Sequence, residues 1–158
     1  MRFAKWHNTI ARLLRCVVAI ALVVGSMSGC SRKQNIVAMA DVNIAQWSEP
    51  VSVTLKNEQA ESVGQLTIVL HVNRHFKAKQ VEFEIVSMTA DFLRCSEKIT
   101  ATPTVEWPVA TAQSVDIEIP YRHNVLMRKA GEYIYTIKPL TPLQGVEAIG
   151  ISYKTEKQ

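Results

Sequence analysis

Six stretches of this chain alternate apolar and polar side chains with a period of two, and that period narrows the fold class before anything else does. Val51, Val53 and Leu55 alternate with Ser52, Thr54 and Lys56; Leu66, Ile68, Leu70 and Val72 alternate with Thr67, Val69, His71 and Asn73. Val81, Phe83 and Ile85 follow the same rule, as do Val115, Ile117 and Ile119, Tyr133, Tyr135 and Ile137, and Ile149, Ile151 and Tyr153. Successive side chains of a strand point to opposite faces, so each run puts one face on a core and the other toward water. Half-solvated strands of this kind belong to antiparallel sheets. Short strands joined by polar turns predict an all-β fold, an antiparallel β-sandwich of immunoglobulin-like or jelly-roll-like type, over residues 43–158. Pro120 is expected to end its run. Helical signal is confined to Asn124–Ala130, where one or two turns would be closed by Gly131. Met88–Cys95 fits either state.

The N-terminal 29 residues follow different rules. Arg2, Lys5, Arg12 and Arg15 precede an apolar run, Cys16–Val24, and no acidic residue occurs before Cys30. Nine apolar residues in a helix reach only about 14 Å, short of the roughly 20 residues that a bilayer span needs. A basic segment, a short apolar segment and small residues in that order make a secretory signal peptide. Gly25-Ser-Met-Ser-Gly-Cys30 resembles the lipobox of bacterial lipoproteins, with Met27 where that pattern usually has an aliphatic residue. The resemblance implies that the Cys30 thiol takes a diacylglycerol and that cleavage leaves Cys30 as the new N-terminus. Each buried acyl CH₂ contributes ~0.8 kcal/mol, so two or three chains hold a protein stably to a membrane. Residues 1–29 therefore read as signal peptide and 30–42 as lipidated cysteine and tether.

Cleavage at that point leaves 129 of the 158 residues, enough for one domain with its own core. It also cancels the formal charge of +4. Four of the 18 Lys and Arg lie in the leader, so 14 basic residues balance 14 acidic ones in the remainder. A near-neutral chain with scattered basic residues lacks the clustered positive surface that nucleic acid demands. Of the three cysteines, Cys16 leaves with the leader and Cys30 becomes a thioether. Cys95 then has no partner for a disulfide and is expected in the core, where free cysteine usually lies.

No constellation in the chain carries chemistry by its spacing. His71 and His75 are four apart on a strand running into a turn, about 13 Å from each other, too far for one tetrahedral ion. Glu82 with Glu84, and Asp116 with Glu118, read as the solvated faces of strands. There is no serine elbow, phosphate loop or dinucleotide fingerprint. The expectation is a protein without catalytic residues, metal or cofactor. What remains is Trp107, which precedes Pro108 in a polar loop and either caps the sandwich or offers an aromatic surface to a partner or glycan. Trp47 is expected in the core. Arg74, beside His75 and Phe76 at a strand end, suits either a partner contact or a turn pairing with a nearby acid. Trp107, Arg74 and His75 are the candidate binding residues.

Several segments resemble the gliding-motility lipoprotein family GldH of the Bacteroidota. They are Gly131-Glu-Tyr-Ile-Tyr-Thr-Ile-Lys, then Pro139-Leu and Leu143-Gln-Gly-Val-Glu-Ala-Ile-Gly-Ile151; Asn73-Arg-His-Phe76 leading into Val81-Glu-Phe-Glu-Ile85; and Trp47 before Val51-Ser-Val53. Between Ser96 and Gln113, where that family often has a W-x-G element, this chain has Trp107-Pro108 and no glycine. The resemblance implies a non-enzymatic outer-membrane lipoprotein, an accessory or assembly component of gliding-motility or secretion machinery with protein partners in the envelope. A glycan- or peptidoglycan-binding lipoprotein is the alternative. Ser31-Arg32-Lys33-Gln34 lacks the acidic residues that often follow the cysteine of surface-exposed lipoproteins in this phylum, which places the domain on the periplasmic side.

Overall fold

The computed structural model describes residues 34–155; the expected leader, Cys30 and the first residues of the tether lie outside them. The described residues form eight strands and no helix: β1 (Asn35–Asp41), β2 (Val51–Asn57), β3 (Ser62–Asn73), β4 (Val81–Met88), β5 (Arg94–Ala101), β6 (Ser114–Met127), β7 (Gly131–Pro139) and β8 (Val146–Thr155). They build two antiparallel four-stranded sheets, ordered β1-β8-β3-β6 and β2-β7-β4-β5. Consecutive strands alternate between the two sheets except β4 and β5, which pair as a hairpin, and this strand order is that of the jelly roll, so of the two sandwich types expected the jelly-roll arrangement is the one adopted.

The inward residues of the six alternating runs meet between the sheets. Leu55, Ile68, Leu70, Val72, Phe83, Ile85, Ile137, Ile149, Ile151 and Tyr153 are all fully buried. Trp47 joins them at 1% exposure, its ring 5.8 Å from that of Phe83, and its Nε1–H donates to the Glu49 carbonyl at 2.7 Å. That bond satisfies the indole's polar atom and lets the rest of the ring be dry.

Four sequence expectations are corrected. Residues 35–41, expected within the tether, form β1, which pairs along its whole length with β8, from Asn35↔Lys154 to Asp41↔Ala148. Pro120 does not end its run. β6 is an edge strand, where the missing N–H of proline breaks no ladder, and it continues to Met127. The helical turns expected over 124–130 are absent: Asn124 has a positive φ of 53° beside the register shifts where β6 passes Gly64–Thr67, so residues 124–127 continue β6 past a bulge and 128–130 connect it to β7. Cys95, expected in the core, is exposed near the start of the edge strand β5.

The antiparallel pairing sorts the loops to two ends. One end holds the start of β1, the β2–β3, β4–β5 and β6–β7 connections and the end of β8. The opposite end holds the β1–β2, β3–β4, β5–β6 and β7–β8 connections.

Candidate functional site

The three candidate binding residues lie at that opposite end, and a turn built by Asn73 places two of them. The Asn73 Oδ1 accepts the His75 N–H at 2.9 Å, and its carbonyl accepts the Phe76 N–H at 3.0 Å. Asparagine is suited to this, since its short amide bonds the backbone two residues on. Phe76 turns inward and is buried. Gly145, with φ of +75°, approaches so closely that a Cβ there would stand 2.2 Å from the Phe76 nitrogen. The turn is thereby fixed on both sides, and Arg74 leaves it toward the β5–β6 loop.

Arg74 finds no carboxylate there. Its Nε–H donates to the Ala112 carbonyl at 2.8 Å, and Nη2 donates to Ala110 at 2.6 Å and Val109 at 3.4 Å. The guanidinium carbon stands 4.1 Å from the centre of the Trp107 ring. A planar cation with several donors suits this double task of stacking on an indole while bonding in its own plane. The 109–112 turn, closed by the Ala112 N–H to the Val109 carbonyl at 3.1 Å, is thus tied to the β3–β4 turn by one side chain. Trp107 is half-buried, with Arg74 over one face. His75 is exposed and lines a separate shallow depression with Ile44, Ala45, Asn73, Gln144 and Gly145. The structure therefore brings Arg74 and Trp107 together and leaves His75 apart from them.

His71, inside β3, stands between two carboxylates on the outer face of its sheet. Nδ1 lies 2.6 Å from Asp116 Oδ1 and Nε2 lies 3.3 Å from Glu147 Oε2. The protonated ring can donate to both, the neutral ring to one only. Asn73 Nδ2 donates to the other Glu147 oxygen at 3.0 Å, which joins this group to the turn that carries Arg74. Among the described residues no cluster of three or more His, Cys, Asp or Glu is arranged to hold a metal ion.

No family model matches this chain, and no curated protein matches it. Among solved structures, the crystal structure titled FLHE is similar over 80% of this chain and all of its own, at 10% identity and a TM-score of 0.36. That is a weak structural likeness.

One polar cluster escaped sequence reasoning. Glu97 occupies an inward-facing position of β5, and there it receives the Tyr121 hydroxyl together with Arg122 Nη2 at 2.7 Å and Nε at 3.1 Å, both residues on β6. It clasps the edges of the two sheets. Burial alone would raise the Glu97 pKa, but the Arg122 and Tyr121 hydrogen bonds and the Arg122 charge outweigh it and hold the carboxyl below its ordinary value. Burial first, and then the bond to Glu97, push the Tyr121 phenol up. Tyr135 is raised by burial, with Tyr133 adding to it. The signal for this clasp was a lone acid in an otherwise apolar alternating row, Cys95, Glu97, Ile99 and Ala101, of which Cys95 is exposed and the rest are half-buried.

Proposed function

We propose that this protein is a lipid-anchored, non-enzymatic lipoprotein of the outer membrane. As its resemblance to the GldH family implies, it serves as an accessory or assembly component of gliding-motility or secretion machinery. The observation that carries this reading is polarity of the domain. The chain enters the sandwich at Asn35, five residues after Cys30, and the candidate binding residues lie at the opposite end. A domain held to a membrane at one end presents the loops of the other, here 74–76 and 107–112, to whatever it assembles with. Arg74 fixes those loops in one shape, and a pre-ordered surface loses less entropy on binding than a mobile one.

Two measurements test the proposal. Mass spectrometry of the purified protein is expected to find residues 1–29 removed and a diacylglycerol on Cys30; an intact leader or a bare terminus contradicts the anchor. Capture from detergent-solubilised envelopes is expected to bring down envelope-complex proteins, and substitution in the 107–112 loop to lose them. Recovery of the protein alone counts against an assembly role. The alternative ligand, a glycan, would have to use an indole whose one face Arg74 already covers. A glycan-induced change in tryptophan emission that disappears in Trp107→Ala would favour it.

A further inference from the structure

The end of the sandwich where β1 begins carries a feature that the anchor alone does not explain. The β4–β5 connection is a five-residue turn, Thr89-Ala-Asp-Phe-Leu93, tied across its base. The Thr89 N–H donates to the Leu93 carbonyl at 3.0 Å, the Leu93 N–H to Thr89 Oγ1 at 3.1 Å and the Phe92 N–H to the Thr89 carbonyl at 2.9 Å. At its tip Phe92 is 81% exposed and Leu93 62% exposed. Phe92 holds a left-handed φ of 63°, which a bulky residue rarely adopts. A strained backbone therefore displays two large apolar side chains to solvent, in a turn whose hydrogen bonds leave it little freedom to fold them away.

The position of that tip is what gives it an occupant. Met88 and Thr89 share a small cavity with Leu66, Val125 and Leu126, at the same end of the molecule as the Asn35↔Lys154 pair that opens β1. Leu126 is itself half exposed. The five residues from Cys30 to Asn35 span at most about 18 Å. A lipid on Cys30 therefore keeps this end close to the headgroups. Laterally the two features are separated: β1 lies at one edge of its sheet, against β2, while β5 is at the far edge of the other, clasped to β6.

We propose that the β4–β5 tip inserts Phe92 and Leu93 into the phospholipid leaflet that holds the acylated Cys30, so that the domain stands on two supports. The proposal rests on the anchor reading above. Charges around the tip have both signs: Arg94, Arg128 and Lys129 against Asp91, Glu58 and Glu61, all of them on the same end. The insertion is therefore driven by apolar burial, as aromatic and aliphatic side chains drive it at membrane interfaces, and it does not require anionic lipid.

The test uses the mature acylated protein, residues 30–158, in phosphatidylcholine vesicles, with Leu93→Cys on a Cys95→Ser background carrying a nitrobenzoxadiazole probe. Thr141→Cys on the same background reports the other end. The probe at 93 is expected to emit to the blue of that at 141, to be quenched severalfold by spin-labelled lipid and to resist aqueous iodide. Adding Phe92→Asp is expected to return it to the behaviour of position 141 without altering the circular dichroism. Iodide quenching at 93 equal to that at 141, with the Cys30 lipid verified by mass spectrometry, overturns the insertion alone and points to a protein partner for the tip. Insertion that survives Phe92→Asp also overturns it. An unmodified Cys30 overturns the anchor, and the two-support reading with it.

Discussion

Glu97 is an acid placed where the strand pattern calls for an apolar side chain, and its three donors make that tolerable. Its pKa is lower in the folded chain than in the unfolded one, so the stability it contributes is present above its ordinary value of about 4.5. That contribution is lost as pH falls through the folded value. Denaturant titrations from about pH 5 downward should show the wild type losing more stability than Glu97→Gln. At neutral pH that variant should be less stable by about 1–2 kcal/mol, toward the lower figure because Arg122 is nearly half exposed. Tyr121 and Tyr135 act in the other direction. Their phenols are raised above the ordinary value of 10.0, so their contribution is intact below that pH and is lost as pH rises beyond it. An alkaline unfolding arm is expected, and Tyr121→Phe with Tyr135→Phe should flatten it. Arg74→Ala should cost about 1–2 kcal/mol through lost carbonyl bonds and stacking, and should change Trp107 emission. Arg74 was legible in the sequence as a candidate, but its partners were not. Backbone carbonyls of a loop 35 residues away carry no sequence signature, whereas an acid would have.

Among the elements, six strands could be read from the residues because large apolar side chains alternate along each with polar or small ones, even in β8, where both faces are covered. β1 could not, since Ile36, Ala38 and Ala40 face inward while Val37 and Met39 face outward, and two apolar faces erase the period. β5 was obscured for the opposite reason, by Glu97 standing in its inward row. The edge position of β6, which makes Pro120 harmless, is a property of strand order and so of the assembled sheet. The β1–β8 contact has its own test. A Cβ on Gly150 would lie 2.4 Å from the Ala38 carbonyl oxygen, so Gly150→Ala must push β1 away. The expected result is a loss of about 2 kcal/mol and of amide-exchange protection over residues 36–40, with the central strands β3 and β7 still protected. Uniform loss across both sheets would mean that β1 does not detach on its own.

At the scale of the whole domain, the first strand pairs with the last, and each sheet draws strands from both halves of the chain. Contacts so distant in sequence make folding slow relative to helical domains of this size, and the β1-β8-β3-β6 sheet is not complete until β8 has been made. Deletion of residues 146–158 is expected to abolish the folded domain, read as loss of the near-ultraviolet dichroism of Trp47, Tyr133 and Tyr135. A native-like spectrum from that truncated chain would show that β8 is dispensable to the core. The direction of β1 has a mechanical consequence. It runs lengthwise through the domain from the end that the proposed anchor would hold, and its seven residue pairs with β8 span nearly the whole of that path. If Cys30 carries the proposed lipid and the far loops the proposed partner, tension between them would pull along the strand. All the ladder bonds would then bear that force together in shear, rather than parting one after another like a zip.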